Sequence, residues 1–108
     1  MIAGNPFPQV SAHSDINRKV FAIQKNQYID ILVKNLSILR ASIGMTQVQL
    51  AKKADISRQT IVSIKTKKRP MSWNQYMEIV LVFKQFDEST LILDKLDLFS
   101  SKIITDYL

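Results

Sequence analysis

Between Thr46 and Thr66 the apolar residues suited to an inward face fall into two short sets, Val48, Leu50, Ala51 and Ala54, then Ile56, Ile61 and Ile64. Most recur at three and four residues, the period of a helix with one buried face. Only Asp55, Ile56 and Ser57 stand between Ala54 and Arg58, so two short helices must meet at a sharp turn. Thr46 and Ser57 are of the types that cap helix starts, which places the helices at "QVQLAKKA" and at Arg58 to about Thr66. Asp55 is among the few non-glycine residues that tolerate a left-handed backbone. Ala51 faces the crossing point, where a larger side chain would push the helices apart. Leu50, Ala54, Ile56, Ile61 and Ile64 fill the wedge between them.

The rest of the 108-residue chain supplies helices to flank this pair. Residues 1–14 hold Pro6, Pro8 and one of the two glycines, without an apolar period, and are expected to be a flexible arm. "SDINRKVFAIQK" sets Ile16, Val20 and Ile23 at helical spacing behind Ser14 or Asp15 as a cap, which predicts a short helix. From Gln27 on, Tyr28, Ile29, Leu32, Leu36, Leu39 and Ile43 describe one face of a long amphipathic helix ended by Gly44. Ser72 caps a fourth helix with Trp73, Tyr76, Ile79, Val80 and Phe83 inward. After Asp87 come one or two more, with a stripe of Ile92, Leu96, Phe99 and Ile103 and a narrower one of Leu91 and Leu98. The expected fold is all-α, a five- to six-helix bundle: an arm (1–14), a domain (15–86) with its core motif at 46–66, and a C-terminal helical extension (87–108) able to dimerise.

Charge divides the chain unevenly. Arg40 to Pro70 carries eight Lys or Arg against one acid, Asp55, whereas residues 71–108 carry three bases and six acids. Such asymmetry points to an anionic partner on one face. The chain has no cysteine, which removes thiolate metal sites, disulfides and cysteine nucleophiles. The single histidine, His13, has no second ligand of its kind and reads as an exposed arm residue. No carboxylate pair, nucleophile with a base, or phosphate loop stands out, so neither an enzyme nor a cofactor is expected. With no apolar run of membrane-spanning length and no charged leader before an apolar one, a cytoplasmic protein with no membrane association is the expectation.

Two short helices with a three-residue turn, the second carrying polar residues outward, form the pattern of a helix-turn-helix, whose second helix enters the major groove of DNA. If Ile61 and Ile64 face the core, Arg58, Gln59, Val62, Ser63 and Thr66 share the outward face. The stretch "NLSILRASIGMTQVQLAKKADISRQTIVSIKTKKRPMSWNQYMEI" resembles the lambda-repressor-like, Xre or Cro/CI type of DNA-binding domain. Thr46-Gln47, Leu50-Ala51, Ile56-Ser57-Arg58, Ile61 and Ile64 fall where that family places corresponding types, and the likeness covers about Asn35 to Phe86. The resemblance implies that Gln47 holds a phosphate and braces the reading helix, and that Arg58, Gln59 and Ser63 point at base edges.

Arg takes guanine O6 and N7 bidentately and Gln takes adenine N6 and N7. Val62 either touches a thymine methyl or packs on the neighbouring helix. Ser57 and Thr60 suit phosphates or capping, and Thr66, Lys65, Lys67, Lys68 and Arg69 suit phosphates. Lys52, Lys53 and Arg40 are weaker candidates, Arg40 being equally able to pair within the fold. Trp73, Tyr76 and Phe83, at helical spacing, are core residues rather than a stacking platform for bases. Two departures stand out: Asp55 fills a turn position where the family often has glycine, and Lys65, Thr66 and Lys67 replace Glu then Gly after the reading helix. Without that glycine the third helix is free to run a turn further.

The expected function is sequence-specific binding of double-stranded DNA by a transcriptional regulator, a repressor acting as a homodimer. The alternative is a protein-interaction module, such as an antitoxin or antirepressor, using the same fold on a protein partner; the acidic, leucine-rich C-terminal third and the N-terminal arm motivate it.

Overall fold

The computed structural model describes residues 6–98, with side chains from Ile16 onward, Asn17 excepted. The described residues form five helices and no strand: α1 (Pro6–Ser42), α2 (Gln47–Ala54), α3 (Arg58–Lys65), α4 (Trp73–Lys84) and α5 (Asp87–Leu96). Residues 1–5 of the expected arm, and Phe99 and Ile103 of the expected C-terminal stripe, lie outside the described residues.

α1 is a single helix of 37 residues where an arm, a short helix and a long helix were expected. Ser14 and Asp15 lie inside it instead of capping a start. The reason is local: no proline or glycine stands between Pro8 and Gly44 to break it. Pro6 and Pro8 sit in the first turn, where backbone N–H groups lack an intrahelical acceptor anyway. The second half of α1 buries Leu32, Leu36 and Leu39, with Tyr28, Ile29 and Ile43 packed partly against the same core. At its end Gly44 is left-handed (φ 63), and the N–H of buried Met45 returns to the Arg40 carbonyl at 2.9 Å.

The other three expected caps form. Thr46 and Gln49 make a reciprocal capping box (3.1 and 2.9 Å), and Ser72 and Gln75 make another (3.1 and 3.0 Å). The Ser57 hydroxyl accepts the Thr60 N–H at 3.0 Å. α2 buries Leu50, Ala51 and Ala54, and α3 buries Ile61 and Ile64. Each fully buried Leu or Ile contributes about 1.5–3 kcal/mol of transfer free energy. Val48, expected inward, is 56% exposed. Two residues from Leu50 it lies about 200° round the helix, so one helix cannot bury both on a single face.

α4 packs Tyr76, Ile79, Val80, Val82 and Phe83 into the centre. Trp73 is half-buried; it stacks on Tyr76 at 4.6 Å and meets Phe21 of α1 edge-on at 6.4 Å. α5 begins without a side-chain cap and carries Asp87 and Glu88 in its first turn, where the helix dipole favours acids. Buried Ser89 donates to the Phe83 carbonyl at 2.5 Å. Leu93 and Leu98 are fully buried, and the Tyr76 hydroxyl donates to the Leu98 carbonyl at 2.7 Å. Burial pushes the Tyr76 phenol above its ordinary range, with Tyr28 and Asp97 adding to the shift. α5 thus contributes to the same core as α1 and α4. Leu91 and Leu98 do not share a surface stripe, since Leu91 is 63% exposed and Leu98 is inside. Among the described residues no helix is long and apolar enough to cross a membrane.

Candidate nucleic-acid interface

The turn between α2 and α3 is tight, with only Asp55, Ile56 and Ser57 between the helices. Asp55 is left-handed (φ 55), and the Ile56 N–H returns to the Ala51 carbonyl at 2.9 Å. That reversal tucks Ile56 against the core and leaves Ser57 free to cap α3. With Ile61 and Ile64 turned in, Arg58, Gln59 and Val62 are exposed on the far side. Ser63 is half-buried, and its carbonyl accepts the N–H groups of Lys68 (2.9 Å) and Arg69 (3.2 Å).

α3 does not run on. It stops at Lys65, and Lys67 adopts the left-handed conformation (φ 62) that glycine would take most cheaply. Its N–H bonds the Ile64 carbonyl at 3.0 Å while Lys68 reaches Ser63, the pair of backbone bonds by which many helices end. The helix ends where the sequence placed it, at about Thr66, and the point left open by the missing glycine is answered: the backbone satisfies its last carbonyls with a lysine in the glycine position.

The polar residues around α3 divide by what their hydrogen atoms already do. Ser57 acts as the cap and also donates to the Thr60 hydroxyl at 2.7 Å. Arg69 donates to that same Thr60 oxygen at 3.1 Å, which folds the basic loop back along α3. The Thr66 hydroxyl donates to the Val62 carbonyl at 2.9 Å, so its one hydrogen is turned into its own helix. Lys67 and Lys68 are exposed, and Lys65 is half-buried. Between Asp55 and Glu78 the sequence has no carboxylate; across the fold Asp30 of α1, ion-paired with Lys34 at 2.9 Å, also feels the charge of Lys67.

Folding also joins residues that lie far apart in sequence. Gln47, first in α2, and Arg58, first in α3, line one open cleft of about 510 Å³ with Arg40, Val48 and the α1–α2 turn. Arg40 holds the Met45 carbonyl at 3.1 Å, so its guanidinium sits within the fold and at the cleft together. The spacing from Arg40 to Arg58 carries no local signal; only the Gly44 turn brings them together. Lys53 leaves the site, since its ammonium lies 5.9 Å over the Phe86 ring on the α4–α5 side.

A helix-turn-helix family model matches residues 36–71, from the last turns of α1 through α2, α3 and the basic loop. No curated protein and no solved structure matches the chain. The match, the five-helix order and the tight α2–α3 turn agree: residues 36–71 are a helix-turn-helix domain of the lambda-repressor-like, Xre type.

Proposed function

We propose that this chain is a cytoplasmic, sequence-specific transcriptional repressor that binds double-stranded DNA as a homodimer, with α3 in the major groove. The observation that carries the reading is the outward face of α3, Arg58, Gln59 and Val62, continuous with a run of cations that no acid interrupts. Arg58 and Gln59 offer the two bidentate groups best suited to guanine and adenine edges, each good for about 1–3 kcal/mol of discrimination. Val62 offers a methyl surface to thymine, and Ser63 contributes from the half-buried edge. Gln47 and the α2 N-terminus meet one phosphate; Lys65, Lys67, Lys68 and Arg69 meet others, while Ser57, Thr60 and Thr66 order the loop and helix that present them. One such helix reads only a few base pairs, which is why two copies on a two-fold site are needed for useful specificity.

Selecting bound duplexes from a random pool tests this directly. The expected result is a pseudo-palindromic site, bound with a log–log salt slope of about −5 if roughly six phosphates are neutralised. Replacing Arg58 and Gln59 with Ala should cost affinity for that site and relax its sequence. Weak binding of every duplex alike, indifferent to those replacements, would sink the reading and favour a protein partner in place of DNA.

A further inference from the structure

The N-terminal half of α1 carries a second surface that DNA binding does not use. Ile16, Val20 and Ile23 are 59%, 47% and 57% exposed. They stand four and then three residues apart, the alternation that keeps a seam on one side of two paired helices. On the opposite face the same helix is anchored: Phe21 meets Trp73, and the Lys25 ammonium lies 3.9 Å over the Phe21 ring and 5.5 Å over that of Trp73. The helix is therefore held in place with its branched aliphatic face outward. Helical turns with little tertiary support are marginal in water, so a helix that leaves Ile16, Val20 and Ile23 bare calls for a partner on that face.

We infer that this partner is a second copy of the same helix, paired in parallel, so that Ile16, Val20 and Ile23 of one chain meet their counterparts in the other. The inference deepens the homodimer part of the reading above by assigning the face on which two copies meet. Charge selects the orientation. In the seam defined by these three residues, Lys19 and Gln24 flank it on opposite sides. Parallel pairing sets Lys19 of one chain beside Gln24 of the other, whereas antiparallel pairing about Val20 brings the two Lys19 side chains together. Parallel pairing also leaves both helix-turn-helix units at the same end of the pair, as a two-fold DNA site requires. With three part-exposed side chains per copy the seam is smaller than a stable free-standing interface, so the dimer is weak and DNA completes it. The alternative face, on α5, is reduced because Leu98 is inside the core.

Sedimentation equilibrium of the full chain without DNA tests the inference, because failure there leaves the DNA reading standing. A concentration-dependent monomer–dimer equilibrium is expected. Val20→Glu, at an exposed position, should weaken it about tenfold or more without moving the urea midpoint of the core. The chain has no cysteine of its own, so Ile16→Cys and Ile23→Cys report orientation cleanly. Each alone should form a disulfide-linked dimer under mild oxidation. Cross-linking only when the two variants are mixed would establish antiparallel pairing and overturn the proposal. A chain that stays monomeric at the highest concentration reached, or a dimer that Val20→Glu leaves intact, overturns it as well.

Discussion

At the end of α2 the left-handed residue is Asp55 (φ 55), and the next residue, Ile56, is half-buried against the core. At the end of α3 the left-handed residue is Lys67 (φ 62), and the next, Lys68, is exposed. The backbone bonds are the same in both: Ile56 to Ala51 and Asp55 to Lys52, then Lys68 to Ser63 and Lys67 to Ile64. The ends of α1 and α5 follow the α2 pattern, with Met45 after Gly44 and Leu98 after Asp97, both buried. An apolar contact after the left-handed residue commonly completes this ending. α3 alone among these four ends omits it. There the fold places two cations, one of them in a conformation that costs a residue with a Cβ about 1–2 kcal/mol. A local rule broken beside the proposed DNA face, at a cost in stability, is what a binding role for those cations explains.

Exchanging the two endings is the sharpest way to test the contrast. Ile56→Lys should lower stability by about 1–3 kcal/mol in urea unfolding, because a packed branched side chain becomes a charge. A loss under about 0.5 kcal/mol would erase the distinction between the ends. The α5 ending gives an independent gauge. Tyr76→Phe removes the bond to the Leu98 carbonyl and should cost about 1 kcal/mol. With the folded phenol raised above its ordinary pKa of 10.0, the unfolded chain loses that proton first. Stability contributed by Tyr76 is thus complete below that value and lost above it, and the Phe variant should show a shallower alkaline decline.

Smaller effects separate conformation from charge at α3. Lys67→Gly should raise stability by about 0.5–1 kcal/mol while reducing DNA affinity, whereas Asp55→Gly should change either quantity little, since Asp accepts this conformation readily. Equal gains at both positions would show that Lys67 carries no special strain. Lys68→Ile should move stability by less than about 0.5 kcal/mol and make the salt slope less negative by about 1. An unchanged slope would remove Lys68 from the phosphate contacts.

What could be read from the chain was local. Thr46, Ser57 and Ser72 cap helices because a hydroxyl reaches an N–H three residues ahead, a relation complete within one turn. Leu32, Leu36, Leu39, Ile61 and Ile64 turn inward because helical period alone groups them. For the same reason, the outward placement of Arg58 and Gln59 followed from Ile61 and Ile64. Asp55 took the left-handed turn its side chain permits.

Other features depended on what lies across the fold. That Val48 joins Arg40, Gln47 and Arg58 at one cleft, that Leu98 is inside, and that α3 halts at Lys65 all rest on contacts between residues distant in sequence or on backbone closure. Periodicity says that a face exists, not which element covers it. The exposed stripe of Ile16, Val20 and Ile23 shows the limit most plainly: its spacing announces a helix, and only the placement of Trp73 against the opposite face leaves it bare. Helix starts and inward faces are set by interactions within a few residues. Which faces meet is set by packing, where each helix must find its complement among all the others.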